Sequence, residues 1–281
     1  MEGTLTMIKQ IDFWFDPVSP FAYLAFERLP QVLEGVSHEV VYRPVLFAGL
    51  LAHWGQKGPA EIEPKRAWTF RHVHWIAQHH GIAMRTPVQH PFNPLAVLRL
   101  LLACAPEGGT PSRLACEAVL RHVWHDGLDA NDPERIAALT AQLSPRVAAD
   151  DPAVKQALKD STAAAVARGL FGVPTFEVDG RQFWGLDALP MLSGFLRGEA
   201  WFDGPAWAEE DRAEGADDEA GCEREQREDR LRGRVEVREE LAPDDRRERA
   251  VEVEVIPLEY RAQTGSEDDL LLFLRHGLTD F

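Results

Sequence analysis

Cysteine is scarce in this chain. Three are found among 281 residues, at positions 104, 116 and 222, and no two form a C-x-x-C pair. That spacing excludes a dithiol redox motif and a zinc knuckle. No apolar run reaches 18 residues, so no segment reads as a membrane-spanning helix. H-E-x-x-H is absent, and Ser19 does not sit in a G-x-S-x-G elbow, which removes the usual signatures of a zinc protease and a serine hydrolase. A single lysine, Lys9, precedes the first apolar stretch, and no long h-region follows it, so the expected location is the cytoplasm without a signal peptide. Lysine is also missing from residues 203–281, which hold 12 arginines against 25 acidic residues, a charge of −13 out of −16 for the whole chain. The remainder is nearly neutral. A balance this acidic disfavours nucleic acid and anionic membrane surfaces as partners.

What is present begins with Phe13-Trp14-Phe15-Asp16-Pro17-Val18-Ser19-Pro20-Phe21-Ala22-Tyr23-Leu24-Ala25. It reads as an apolar strand, a short turn and a helix opened by a hydroxyl residue. Ile11, Phe13 and Phe15 alternate on one face of a strand over 8–15. A helix is expected from Ser19 to about Leu33, kinked or ended early by Pro30. A second strand over 39–43 completes a parallel βαβ unit. Ser19 reads as an N-cap with Pro20 at N1. The same place, among unpartnered N–H groups at the positive end of a helix, would also stabilise a thiolate.

A helical region follows, with helices expected over 65–80, 93–105 and 112–124. Two more open at Asp132-Pro133 and Asp151-Pro152, where an N-cap precedes a proline. Trp68, Phe70 and Trp75 are expected to pack within this region, and Cys104 and Cys116 to be buried as small hydrophobes. His72, His74, His79, His80 and His90 do not place three rings on one helical face, so no metal site is expected. The sheet pattern returns as a β-hairpin, Thr175–Val178 and Arg181–Trp184 around Asp179-Gly180, followed by a helix to about Leu196. Residues 203–281 are, up to about Arg249, rich in Glu, Asp, Arg, Ala and Gly, with too little apolar surface to bury to offset chain entropy. They read as a tail with one short strand near Val251–Val255 and a short helix near Leu270–Leu274.

The order of these motifs resembles the 2-hydroxychromene-2-carboxylate isomerases and kappa-class glutathione transferases, within the DsbA-like thioredoxin superfamily. The matching stretches, from Ile8 to about Arg197, are Asp16 to Ala25, Tyr42-Arg43-Pro44, Gly55-Gln56-Lys57-Gly58-Pro59, Pro64-Lys65, Val123 to Asp129, Gly172 to Phe176 and Phe183 to Asp187. The resemblance implies an α/β fold: a thioredoxin-like domain (8–45 and 172–200) with an inserted all-helical domain (46–171), plus an acidic, mostly disordered C-terminal tail (203–281). It implies glutathione as cofactor, with Ser19 in the place of the first redox cysteine and Ala22 in that of the second. Ser19 would favour the thiolate. Pro20, Phe21, Gln56, Lys65, Val173, Pro174, Leu186 and Asp187 would bind the tripeptide, with a cis bond at Val173-Pro174. Arg43 and Asn93 would hold a small aromatic carboxylic acid substrate. Relatives carry Asn where Gln56 stands and Arg where Ala188 stands. The activity implied is a glutathione-dependent isomerase. The alternatives are a kappa-like transferase and a cysteine-less binding module. A homodimer is the implied assembly.

Overall fold

The computed structural model describes residues 8–210, which fall into two units, 8–197 and 198–210. Strand β1 (Lys9–Phe15) leads into helix α1 (Pro20–Val32), and β2 (His38–Pro44) returns parallel to β1. Five longer helices and one short one follow: α2 (Phe47–His53), α3 (Glu63–His79), α4 (Leu95–Cys104), α5 (Arg113–Trp124), α6 (Pro133–Leu143) and α7 (Pro152–Ala167). The hairpin β3 (Thr175–Val178) and β4 (Arg181–Trp184) then joins the sheet, and α8 (Leu189–Leu196) closes this unit. The sheet order is β2-β1-β3-β4, with β3 antiparallel to both β1 and β4. This is a thioredoxin-like arrangement, with only helices described between β2 and β3.

Alternation along β1 separates two packed faces. On one, Phe13 stacks on Phe15 and Phe176 at 5.1 and 4.8 Å, and Tyr42 meets both Phe13 and Phe26 of α1. On the other, Trp14 packs with Val45, Leu50, Ala165, Leu170 and Val173. Each large side chain buried in this way contributes about 1.5–3 kcal/mol. The sheet is therefore fixed by α1 on one side and by α2 and α7 on the other.

Several expectations are corrected. Pro30 does not stop α1, because the one backbone hydrogen bond it removes lies near the end; the helix runs two residues further and Leu33 N–H closes on Leu29 O. Helix α2 gave no periodic signal in seven residues. α4 begins two residues later than expected, where the Asn93 carboxamide accepts the Leu95 N–H. Trp68 and Trp75 are exposed, at 64% and 61%. The packed face of α3 is Val73, Ile76 and Ala77, and the tryptophans lie opposite, stacked on His72 and His79 one turn along. Cys116 is buried but Cys104, the last residue of α4, only partly so.

In the second unit, a 3-10 turn at Ala200–Asp203 precedes α9 (Pro205–Glu210), where Trp201 meets Phe202 and Trp207. The stretch expected to form a tail thus starts with a helical turn. The leader at 1–7 and the expectations of disorder, strand and helix beyond residue 210 lie outside the described residues.

Candidate active site

The site is built where β1 ends. Asp16 to Ser19 form a turn in which Ser19 N–H donates to Asp16 O at 3.0 Å. Ser19 is the N-cap of α1, in extended backbone, and its Oγ accepts the Ala22 N–H at 3.3 Å. The same hydroxyl faces the Val173 carbonyl at 3.5 Å, 154 residues away in the chain. That distance is at the far edge of a hydrogen bond. The hydroxyl proton is therefore free to turn to a better acceptor at little cost. Pro20 at N1 has no N–H, and the Phe21 N–H has no acceptor among the described residues.

Facing Ser19 is the loop 170–174. The Val173-Pro174 peptide bond is cis, as expected, and a second cis bond, His90-Pro91, was not anticipated. Thr175 Oγ1 donates to Gly172 O at 2.8 Å and Gly185 N–H to Pro174 O at 2.8 Å, which tie the loop to the hairpin. Three partly exposed aromatics surround it. Trp54 donates its indole N–H to Leu170 O at 2.9 Å, and Phe171 meets Trp184 edge-on at 4.8 Å. Trp184 lies so close to Gly172 that a Cβ there would sit 2.5 Å from its Nε1.

Sequence reasoning did not single out Asp16. Its carboxylate is fully buried and accepts the Val18 and Phe47 N–H groups, both at 2.9 Å. It ties the turn before Ser19 to the start of α2. Burial raises its pKa from 3.8 to about 7, against the two backbone donors that lower it. His90 and Trp124 were not assigned either. His90 Nε2 bonds Val18 O and Trp124 Nε1 bonds Pro17 O, each at 2.8 Å. Contacts spanning 72 and 107 residues leave no local signature.

The expected binding residues are not all alike. Ser19, Pro20, Phe21, Val173 and Pro174 meet at the end of β1. Phe21 touches His72 edge-on at 6.0 Å. Leu186 is buried in a 3-10 turn, and the exposed Asp187 lays its carboxylate over Gly185, whose φ of +96° favours glycine. Gln56 and Lys65 are exposed, and neither side chain has a partner among the described residues. Arg43 stands apart: its Nε donates to Asp12 at 2.5 Å and its guanidinium lies over Trp14. Asn93 is exposed and its carboxamide oxygen is engaged at the start of α4. A cleft of about 590 Å³ is lined by Leu33, Val36, Val40, Tyr42 and Arg113. It lies by the C-terminal end of α1, whose 13 residues place it about 20 Å from the Ser19 end. No cluster of three or more metal-ligating side chains occurs among the described residues.

Residues 10–197 match the model of the DSBA-like thioredoxin domain. The chain belongs to this family. The DsbA-like domain is 27% identical over 200 residues to a 2-hydroxychromene-2-carboxylate isomerase of Sphingobium xenophagum, covering 68% of this chain and 99% of that protein. It is 29% identical to the same enzyme of Pseudomonas putida (66% and 93% covered) and 28% identical to human glutathione S-transferase kappa 1 (69% and 92%). Its fold matches a solved 2-hydroxychromene-2-carboxylate isomerase with a TM-score of 0.60 at 24% identity, over 66% of this chain and 94% of that one. The DsbA-like domain contains no helix long and apolar enough to cross a membrane among its described residues.

Proposed function

We propose that the protein is a glutathione-dependent isomerase of small aromatic carboxylic acids of the 2-hydroxychromene-2-carboxylate type. The observation that carries this reading is the Ser19 hydroxyl at the positive end of α1, 3.5 Å from the Val173 carbonyl. Ser19 Oγ is the group that donates to the glutathione sulfur, relinquishing its long contact to Val173. The helix terminus and the Phe21 N–H add favourable charge at the same point. A free thiol with a pKa of about 8.5 is only a few per cent ionised at neutral pH, so this stabilisation sets the supply of nucleophile. Val173 would pair its N–H with the cysteinyl backbone, with Pro20 and Pro174 walling the sulfur. Asp187, placed by Leu186, would receive the γ-glutamyl ammonium. Gln56 and Lys65 would meet the glycyl end.

In the reaction, the thiolate adds to the unsaturated carbon conjugated with the substrate carbonyl, and the electron pair moves onto oxygen as an enolate. Rotation about the bond that has become single follows. The enolate then re-forms the double bond and expels the thiolate, so glutathione is unchanged. Trp54, Phe171 and Trp184 offer flat apolar surface to an aromatic substrate beside the loop. Arg43 is committed to Asp12, so it is the weaker of the two candidates for the substrate carboxylate, with Asn93 the other. The resemblance to kappa-class transferases supports a second reading in which the thioether is released as product, since both reactions need the same thiolate.

The test is glutathione titration of the wild type and Ser19→Ala, with the bound thiolate followed at 240 nm and turnover on a chromene carboxylate read by mass spectrometry. Glutathione affinity is expected to stay within about threefold. The bound thiol pKa should rise by about one to two units, the loss of a hydrogen bond to a charged group, with turnover at neutral pH lowered about 10- to 100-fold. Full turnover in Ser19→Ala removes Ser19 from the mechanism. A persistent glutathione adduct identifies a transferase, and no glutathione binding by the wild type identifies a binding module.

A further inference from the structure

The turn that presents Ser19 is gripped from outside the sheet. A carbonyl oxygen only accepts, so the 2.8 Å contact between His90 Nε2 and Val18 O requires the proton on Nε2. In the neutral ring Nδ1 then carries a lone pair. His90 is 8% exposed, and its Nδ1 is buried with no partner among the described residues. A proton on Nδ1 would meet no acceptor among the described residues. The ring is walled by Phe70, Trp124 and Phe92 at 5.1, 5.4 and 6.3 Å, and the charged group acting on it is Arg66 of α3. Desolvation, with a smaller push from this cation, disfavours the imidazolium and outweighs the Val18 carbonyl, which favours it.

The carbonyl that His90 holds belongs to the Val18–Ser19 peptide, and the N–H at the other end of that peptide is held by Asp16 O at 3.0 Å. The preceding carbonyl, Pro17 O, takes the Trp124 indole N–H at 2.8 Å, and the Val18 N–H takes the Asp16 carboxylate at 2.9 Å. The polar backbone groups between Pro17 and Ser19 are thus all engaged, and two of the donors arrive from the helical region. We infer that His90 is a positioning residue for Ser19: held as the neutral Nε2–H tautomer, it fixes the Val18–Ser19 peptide and with it the direction of Ser19 Oγ toward the loop at Val173. The inference rests on the reading of Ser19 given above, but its first consequence, the order of the turn, does not need glutathione.

Three measurements on the full chain test it. Nitrogen-15 NMR of the imidazole should report the neutral Nε2–H tautomer of His90 at neutral pH; an Nδ1–H tautomer overturns the inference. Amide exchange of residues 16–22 should quicken about tenfold in His90→Phe, which keeps a ring in the aromatic cage but loses the donor, and should recover within about threefold of wild type in His90→Gln, whose amide can reach Val18 O. With glutathione bound, His90→Phe should lower kcat about tenfold while KM for glutathione stays within twofold, and His90→Gln should restore most of it. Unchanged exchange and turnover in His90→Phe refute the role. If His90→Phe does not fold, the tautomer and the His90→Gln exchange data decide. Failure of the Ser19 reading appears separately, as full turnover in Ser19→Ala with normal exchange of the turn.

Discussion

Asp16 makes a contribution to stability that falls as pH rises from about 4 to about 7. In the unfolded chain its carboxyl titrates near 3.8; in the folded protein burial moves it to about 7. The folded state therefore holds the proton more tightly, and between these values unfolding releases it. The contribution is fully present below about pH 4 and is lost as pH climbs through 7. A shift of about three units corresponds to about 4 kcal/mol, and because the group is fully buried, little of it is screened. The Asp16→Asn variant removes the titration. Asn keeps an oxygen for the Val18 N–H but turns its amide toward the Phe47 N–H, so the variant carries a pH-independent cost of about 1–3 kcal/mol. The assay is urea unfolding of both proteins at half-unit steps from pH 4.5 to 8, followed by tryptophan emission. The difference in stability, wild type minus variant, should fall by about 1.4 kcal/mol per pH unit up to about pH 7 and then level. Parallel curves would refute the reasoning, and would mean that the two backbone donors outweigh burial and keep the carboxylate ionised throughout.

Other outcomes follow from single contacts. Gly172→Ala places a Cβ against Trp184 Nε1, so Trp184 must move; the expected result is a shift in tryptophan emission, about 1–3 kcal/mol lower stability and weaker glutathione binding by calorimetry. Arg43→Met breaks the pair with Asp12 and the stack on Trp14; stability by urea unfolding should drop by about 1 kcal/mol, with glutathione affinity within twofold. Burial raises the pKa of both described cysteines, well above the ordinary thiol for Cys116. Iodoacetamide at pH 7.5, with peptide mapping, should therefore label Cys104 slowly and Cys116 only after unfolding.

Much of the fold was legible because its signals are local. Alternation gave β1, Asp179-Gly180 gave the hairpin, where both residues have positive φ, and the Asp-Pro pairs gave the starts of α6 and α7. Ser19 was legible for the same reason, as an N-cap before a proline. The residues that hold its turn were not. Asp16, His90 and Trp124 act through contacts 31 to 107 residues apart, with no periodicity to expose them. The tryptophans of α3 misled in the opposite way. Large apolar residues at helical spacing signal a packed face, but the buried stripe there is made of the smaller Val73, Ile76 and Ala77.

These placements bear on why, under the proposed function, a hydroxyl would suffice. A redox cysteine must itself be ionised and exposed, and its partner must stand close enough to close a disulfide. A serine that serves a bound thiol has only to offer a proton at the right angle. The turn supplies the angle, because its backbone groups are tied to Asp16, His90 and Trp124 and cannot swing with the side chain. The 3.5 Å contact to Val173 would supply the freedom the proposed role needs, because a stronger bond would keep the proton from the sulfur. The protein's described thiols would not compete for the proposed chemistry, since burial raises the pKa of both. On the proposed reading, a rigid backbone carrying one rotatable hydroxyl would be enough to set the ionisation of a thiol that the protein does not own.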